Sequence, residues 1–182
     1  AALPLMLAVA IAVAATSRGP ILYRSERIGL HGRRFHMWKF RSMVRDADAV
    51  MARWVETHPD LVAGYLANYK LKDDPRITPL GRFLRRSSLD ELPQFWNVVR
   101  GEMSLVGPRP YLPTLPPDAD LRVLISGVRP AVTGPFQVSG RNTMTPARRM
   151  ALDAEYAANV TFTGDLRYLA RTLRPLLRLD GD

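Results

Sequence analysis

Residues 1–17 read AALPLMLAVAIAVAATS, an apolar, Ala-rich run without a charge. The run predicts a helix that is apolar on every side, closed by Gly19-Pro20. Beyond it the pattern loosens toward alternation. Ile21, Tyr23, Phe35, Met37 and Phe40 are apolar within residues 21–43, around Gly29 and Gly32, which predicts a β-hairpin. Residues 44–70 return to helical spacing, with Met51, Trp54, Val55, Leu61, Val62, Tyr65 and Leu66 apolar. His58-Pro59 marks an interruption there. Asp73-Asp74-Pro75-Arg76 reads as a turn. Thr78-Pro79 is an N-cap followed by proline at the first helical position, opening a short helix to about Arg86. Pro113–Pro117 reads as a loop, and residues 129–141 carry loop chemistry as well. A helix is expected around 146–158. A last one runs from Asp165 and is disturbed at Pro175. It sets Leu166, Leu169, Leu173, Leu176 and Leu177 on one face and Arg167, Arg171, Arg174 and Arg178 on another. The expected class is α+β: a small, mainly helical domain with one short hairpin.

The chain has 182 residues, enough for one compact domain with a core. With 47 % hydrophobic and 24 % charged residues it is globular rather than disordered. It has no cysteine, which excludes disulfides and thiolate metal sites and fits a reducing compartment. Its net charge of +9 asks for an anionic partner. That charge is unevenly placed. Arg18, Arg24, Arg27, Arg33, Arg34, Lys39, Arg41 and Arg45 stand against Glu26 alone, directly after the uncharged run. This is the arrangement of a cytoplasmic juxtamembrane stretch. As a helix the run would reach about 26 Å, short of a hydrocarbon core of roughly 30 Å. A membrane-inserted helix competes with a signal peptide and with a buried core helix. A signal peptide wants a basic leader, which is absent, and the flanking charge favours the membrane. The chain begins with Ala rather than Met, so the expectation is a fragment lacking an upstream half of that helix. The last helix has its own alternatives: a basic amphipathic helix lying in a membrane interface, or a solvated Arg face over a leucine core.

Asp90-Glu91 is the most suggestive chemical pair, within Ser88-Leu89-Asp90-Glu91-Leu92-Pro93-Gln94. The plain alternative is a capping box, Ser88 with Glu91, at the start of a helix. A helix beginning at Asp90 would put Pro93 in its first turn, among donors that need no partner. Adjacent helical residues diverge by about 100°, so the carboxylates would divide their labour: one attacks, the other holds a metal ion. Arg82, Arg85 and Arg86 precede the pair. Arg109 follows between Pro108 and Pro110, which restrict its backbone. Arginine binds phosphate bidentately. Arg129, Gly134, Gly140 and Arg141 repeat the combination of charge and close backbone approach. His31, His36 and His58 lack the spacing of a zinc site. No nucleotide-binding Gly-rich loop or nucleophile elbow is present. A glycosidase is disfavoured, because adjacent residues cannot flank a glycosidic bond.

Several blocks together resemble the bacterial sugar transferase family, the monotopic polyprenyl-phosphate phosphoglycosyl transferases. They are Gly19-Pro20 with Tyr23-Arg24 and Glu26-Arg27-Ile28-Gly29; Lys39-Phe40-Arg41-Ser42-Met43; and Asp74-Pro75-Arg76-Ile77-Thr78 with Leu80-Gly81. Leu84-Arg85 through Gln94, Trp96-Asn97-Val98, Gly101 through Pro110, and Arg129-Pro130 through Arg141 continue the series. The match covers nearly the whole chain in order, although residues 113–128 are not matched.

The resemblance implies a re-entrant membrane helix whose second half is residues 1–18, with Pro4 near its break. Residues 19–182 would form the catalytic domain, on the cytoplasmic face of the bacterial inner membrane, with amphipathic helices in the interface. Leu3 stands where the family often has Ser. The implied reaction moves a sugar 1-phosphate from a nucleotide sugar, expected to carry UDP, to undecaprenyl phosphate. This would initiate exopolysaccharide or lipopolysaccharide assembly. Asp90 is implied as the nucleophile and Glu91 as a ligand of Mg²⁺. Lys39, Arg41, Arg76, Arg85, Arg109, Arg129 and Arg141 are the phosphate-binding candidates, Lys39 and Arg41 with lipid head groups as an alternative. The expected partners are the donor, the lipid acceptor and membrane lipids, without nucleic acid and with room for a homo-oligomer. The competing reading is a non-enzymatic basic module that binds a membrane surface or nucleic acid; the chain shows no stacking motif for the latter.

Overall fold

The structure, a computed structural model, describes residues 2–60, 62, 71, 73–113, 119–139 and 144–178. It is α+β, with two small sheets among helices. Helix α1 (Ala2–Thr16) forms where alanine and leucine dominate. Val9 and Val13 on one side pack against Phe40, Leu84, Leu80, Leu89 and Leu92. The other side leaves Leu3, Leu5, Leu7 and Ile11 exposed. No helix among the described residues is long and apolar enough to cross a membrane.

Strands β1 (Leu22–Ile28) and β2 (Arg34–Phe40) form the expected antiparallel hairpin, in register from Leu22↔Phe40 to Ile28↔Arg34. His31 and Gly32 close it with positive φ, which suits Gly32 at +75°. Strand alternation turns Phe35 and Met37 inward onto Met103 and sets Lys39 on the same side. Helix α2 (Ala47–Thr57) stops at His58, as the sequence indicates. Helix α3 (Pro79–Arg86) starts as expected, the Gly81 N–H donating to Thr78 Oγ1 at 2.9 Å. It presses on the chain after β2. A Cβ at Gly81 would lie 1.9 Å from the Ser42 carbonyl oxygen.

Helix α4 (Gln94–Val99) leads into β3 (Ser104–Val106), and α5 (Ala119–Ser126) into β4 (Ala131–Thr133). The parallel β3–β4 pair replaces expected loop at 129–141. Three-residue strands give alternation too little length to register, and Gly107 and Gly134 conceal the pairing. Those glycines let the backbones touch: a Cβ at Gly134 would come 2.0 Å from the Gly107 oxygen. Helix α5 likewise lies where residues after the Pro-rich stretch offered no clear signal. Helix α6 (Pro135–Val138) is a single turn, followed by α7 (Pro146–Ala158) where a helix was expected.

The last helix, α8 (Phe162–Arg178), begins before Asp165, because the Gly164 N–H donates to Thr161 Oγ1, and it continues past Pro175. It docks through its polar ridge. Tyr156 donates to Asp165 Oδ1 at 2.7 Å, Tyr168 meets Tyr156 edge-on, and the Thr172 and Thr133 hydroxyls are 2.6 Å apart. Phe162, Leu166, Leu169 and Leu173 face outward. For Leu166, Leu169 and Leu173 the leucine-core alternative is therefore corrected. Leu176 and Leu177 lie beyond the described side chains.

Candidate active site

Asp90 and Glu91 do not start an α-helix. They occupy a single 3-10 turn, Leu89–Glu91, while α4 begins only at Gln94 after Pro93. Ser88 has φ +57° and makes no capping bond, so the capping-box alternative is corrected. The turn is held by its apolar flanks, since Leu89 and Leu92 pack into the cluster beneath α1. Asp90 is buried and Glu91 half-buried. Lys39 reaches both: its Nζ donates to Glu91 Oε1 at 2.7 Å and lies 3.9 Å from Asp90 Oδ2. The buried carboxylate thus faces an ammonium, while its sequence neighbours supply the apolar anchor.

Asn97 fixes the hairpin to this turn. It is fully buried, accepts the Trp38 N–H at 3.1 Å and donates to the His36 carbonyl and Glu102 Oε2 at 2.8 and 2.7 Å. A buried amide with both ends satisfied stabilises one arrangement and penalises others. Here that arrangement sets Lys39, next to Trp38, over the dyad.

The arginines fall into several groups. Arg109 lies on the loop between β3 and α5, its guanidinium 5.6 Å from the Phe136 ring centre. Its backbone N–H donates to Asp153 Oδ2 at 3.3 Å, and Tyr111 donates to the same oxygen at 2.7 Å. Burial raises the Asp153 carboxyl to about 6, against those bonds and the nearby Arg149 and Arg109 charges. Arg27, on β1, donates to the Pro110 carbonyl at 3.3 Å. Burial, then the charge of Arg109, lowers it to about 10, with Tyr23 and Glu91 pulling the other way. Arg27 therefore lies within electrostatic reach of both Arg109 and Glu91.

Arg85 Nε donates to Ser42 Oγ at 2.9 Å. Arg76 grips Asp74 with Nε and Nη2, at 2.8 and 2.6 Å. Burial would raise that carboxyl, but the Arg76 bonds outweigh it and hold Asp74 below its ordinary value. Arg41 is buried at the C-terminal end of α1, donating to the Ser17 carbonyl and hydroxyl and to the Pro20 carbonyl. Orphan helix carbonyls suit a cation there. Arg129 is exposed and lines an open groove against Leu105, Leu166 and Leu169. Arg141 lies outside the described residues.

Sequence reasoning passed over Arg27, Asn97 and Asp153 as site residues. Asn97 stood only inside a matched block, and Arg27 there and in the basic stretch after the apolar run. Asp153 carried a usable signal: it is an acid next to Ala154 on the buried side of α7, where carboxylates are rare unless paired.

Residues 1–178 match the family model described as bacterial sugar transferase. The chain belongs to the bacterial sugar transferase family. It is 42 % identical over 181 residues to a UDP-galactose-lipid carrier transferase of Erwinia amylovora, covering 96 % of this chain and 37 % of that protein. It is 42 % identical over 167 residues to an undecaprenyl-phosphate galactose phosphotransferase of Salmonella typhimurium, covering 90 % and 34 %. It is 39 % identical over 176 residues to the exopolysaccharide production protein ExoY of Rhizobium meliloti, covering 93 % and 76 %. The chain thus spans about a third of the first two relatives and three quarters of the last.

Proposed function

We propose that this sugar transferase moves a sugar 1-phosphate from a UDP-sugar to undecaprenyl phosphate through a covalent Asp90 intermediate. The observation that carries this reading is the Asp90–Glu91 turn locked against Lys39, with Arg27 in electrostatic reach of Glu91, in a chain of this family. The names of relatives supply the donor and acceptor classes.

In the first step an Asp90 oxygen attacks the sugar-bearing phosphorus. The bond from that phosphorus to the bridging oxygen breaks, and the nucleoside monophosphate leaves. In the second step a phosphate oxygen of the lipid attacks the same phosphorus. The bond to Asp90 breaks, the carboxylate returns and a lipid diphosphate sugar is released. No net proton is required in either displacement. The covalent intermediate splits one difficult displacement into two easier ones, with the Asp90 carboxylate as nucleophile in the first and leaving group in the second. Lys39 offsets the repulsion between adjacent carboxylates, and the guanidiniums stabilise equatorial phosphoryl charge.

Glu91 fits a magnesium ligand. Its carboxylate, paired with Lys39 at 2.7 Å and still partly exposed, would offer the ion a hard oxygen donor, and substrate phosphates would supply others. Magnesium, when bound, neutralises phosphate charge. The exposed apolar side chains of α1, α4 and α8, with the basic stretch after α1, support a position at the cytoplasmic membrane surface.

The test uses UDP-galactose or UDP-glucose without lipid. The expected result is a phosphosugar mass increment on Asp90 and release of UMP at about one equivalent. Asp90→Asn abolishes both. UMP release that strictly requires the lipid acceptor would refute the two-step route.

A further inference from the structure

Helix α1 meets the catalytic turn along two lines of contact, and both run through the end of β2. The first is apolar. Val9 and Val13 of α1 form one buried cluster with Phe40 and Leu84, and Leu89 and Leu92, which flank Asp90 and Glu91, pack against it. Phe40 is the residue between Lys39 and Arg41.

The second line is polar. Arg41 is 7 % exposed, and its guanidinium reaches back to the chain leaving α1. Nη2 donates to the Ser17 carbonyl and hydroxyl, each at 2.6 Å, and Nη1 donates to the Pro20 carbonyl. The Arg41 N–H donates to the Ile21 carbonyl at 2.9 Å, which extends the hairpin pairing by one step. Arg41 has no carboxylate partner among the described residues, so carbonyls beyond a helix C-terminus offset its charge. Gly19, at φ +121°, leaves the space this needs: a Cβ there would lie 2.6 Å from Arg41 Nη1. A buried guanidinium engaged in this way has little left to offer a phosphate. Two residues earlier, Lys39 Nζ holds Glu91 at 2.7 Å and stands 3.9 Å from Asp90.

Resting on the reaction proposed above, we propose that Arg41 is a positioning residue: by tying the end of α1 to the end of β2, it sets Lys39 against Asp90 and Glu91. Arg41 itself touches neither substrate nor the reacting atoms. The seat of α1 thereby becomes part of the active-site geometry. Without Arg41 the two ends part, the Lys39 ammonium drifts from the dyad, and the attacking oxygen loses its place. A shift of about 1 Å at reacting atoms costs roughly a hundredfold in rate.

The test follows the first displacement on the full chain, with UDP-galactose or UDP-glucose and no lipid, reading the rate constant and the amplitude of UMP release separately. Arg41→Gln is expected to lower the rate constant by roughly tenfold to a hundredfold while UDP affinity stays within about twofold. Gly19→Ala, which pushes the guanidinium from outside, is expected to lower the same constant by roughly threefold to tenfold. In a Lys39→Met background, Arg41→Gln should cost less than about threefold more, since the two act through one contact. Weaker UDP binding with the rate constant kept would make Arg41 a phosphate contact. A lower amplitude with the rate constant kept would make it a residue of the fold alone. Multiplying effects in the double variant would break the link to Lys39. Any of these three overturns the proposal.

A readout without turnover separates this linkage from the covalent reading. Lys39, Lys70 and Lys72 are the lysines of the chain, so ¹³C-methylation gives few NMR signals, and Lys39→Arg identifies the one that matters. Arg41→Gln is expected to move the Lys39 signal toward that of free methylated lysine. An unmoved signal sinks the linkage even if Asp90→Asn abolishes turnover. No phosphosugar on Asp90 of the unaltered chain would sink the covalent reading, and the Lys39 signal would still decide the linkage.

Discussion

At the scale of single residues, Lys39 acts on the dyad and Asp153 acts under the Arg109 loop. An ammonium 2.7 Å from Glu91 and 3.9 Å from Asp90 holds together two carboxylates that would otherwise repel. Lys39→Met should lower kcat/KM by about a hundredfold, or ~3 kcal/mol of transition-state stabilisation. Steady-state rates with UDP-glucose check this, and Lys39→Arg should recover only part of the loss. Asp153 acts at one remove, through the Arg109 backbone and Tyr111. Its folded carboxyl, raised to about 6 from 3.8, keeps a proton that the unfolded chain has already released. Its stabilising contribution is therefore complete below the unfolded value and is lost as pH rises toward 6. Over that window unfolding free energy should fall by roughly 3 kcal/mol and then level off. Asp153→Asn should remove that slope, as read by denaturant unfolding at stepped pH. Asp90-Glu91 was legible in the sequence because two adjacent acids among arginines are conspicuous. The capping-box alternative failed because Ser-x-x-Glu does not reveal a left-handed Ser88. Arg27 was hidden by its setting, one base among many after the apolar run.

At the scale of elements, the legible pieces are those with strong local grammar. The hairpin alternates, α3 opens on Thr-Pro, and α7 carries both a proline start and helical spacing. Strands β3 and β4 were illegible because their pairing is decided by tertiary contact between glycine-flanked segments, not by local pattern. Two elements meet at Gly81, whose missing side chain lets α3 approach the Ser42 carbonyl. Gly81→Ala must push α3 away, since the obstacle is backbone. It should cost about 2–3 kcal/mol and lower the unfolding temperature by several degrees. The same variant should weaken turnover, because Arg85 reaches Ser42 across that contact. Asn97→Ala tests the other joint. It strands the Trp38 N–H and the His36 carbonyl, leaves Glu102 to Arg100 alone, and should destabilise by about 3 kcal/mol. Thermal melts in detergent resolve both.

At the scale of the whole molecule, the apolar side chains that stay exposed are concentrated on α1, α4 and α8. Leu3, Leu7 and Ile11, Trp96 and Val99, and Phe162, Leu166 and Leu173 are each more than half exposed. A folded chain leaves so much large apolar surface uncovered only where something other than water meets it. The helix α8 is the sharpest case, because its docking ridge is polar and its leucines point away. Its arginines Arg167 and Arg171 are exposed on the same helix, the pattern of an element lying in a lipid interface. A chain without cysteine permits a clean test of that placement. Leu166→Cys and Arg171→Cys, each carrying a nitroxide in liposomes containing anionic lipid, should report opposite environments. The label at 166 should relax with dissolved oxygen and resist an aqueous nickel complex, and the label at 171 should do the reverse. Equal access of nickel to both positions would put α8 in water and detach the leucine stripe from the membrane. The contrast is informative because neither side chain belongs to the docking ridge, so the fold survives both substitutions and the difference reads the surroundings alone.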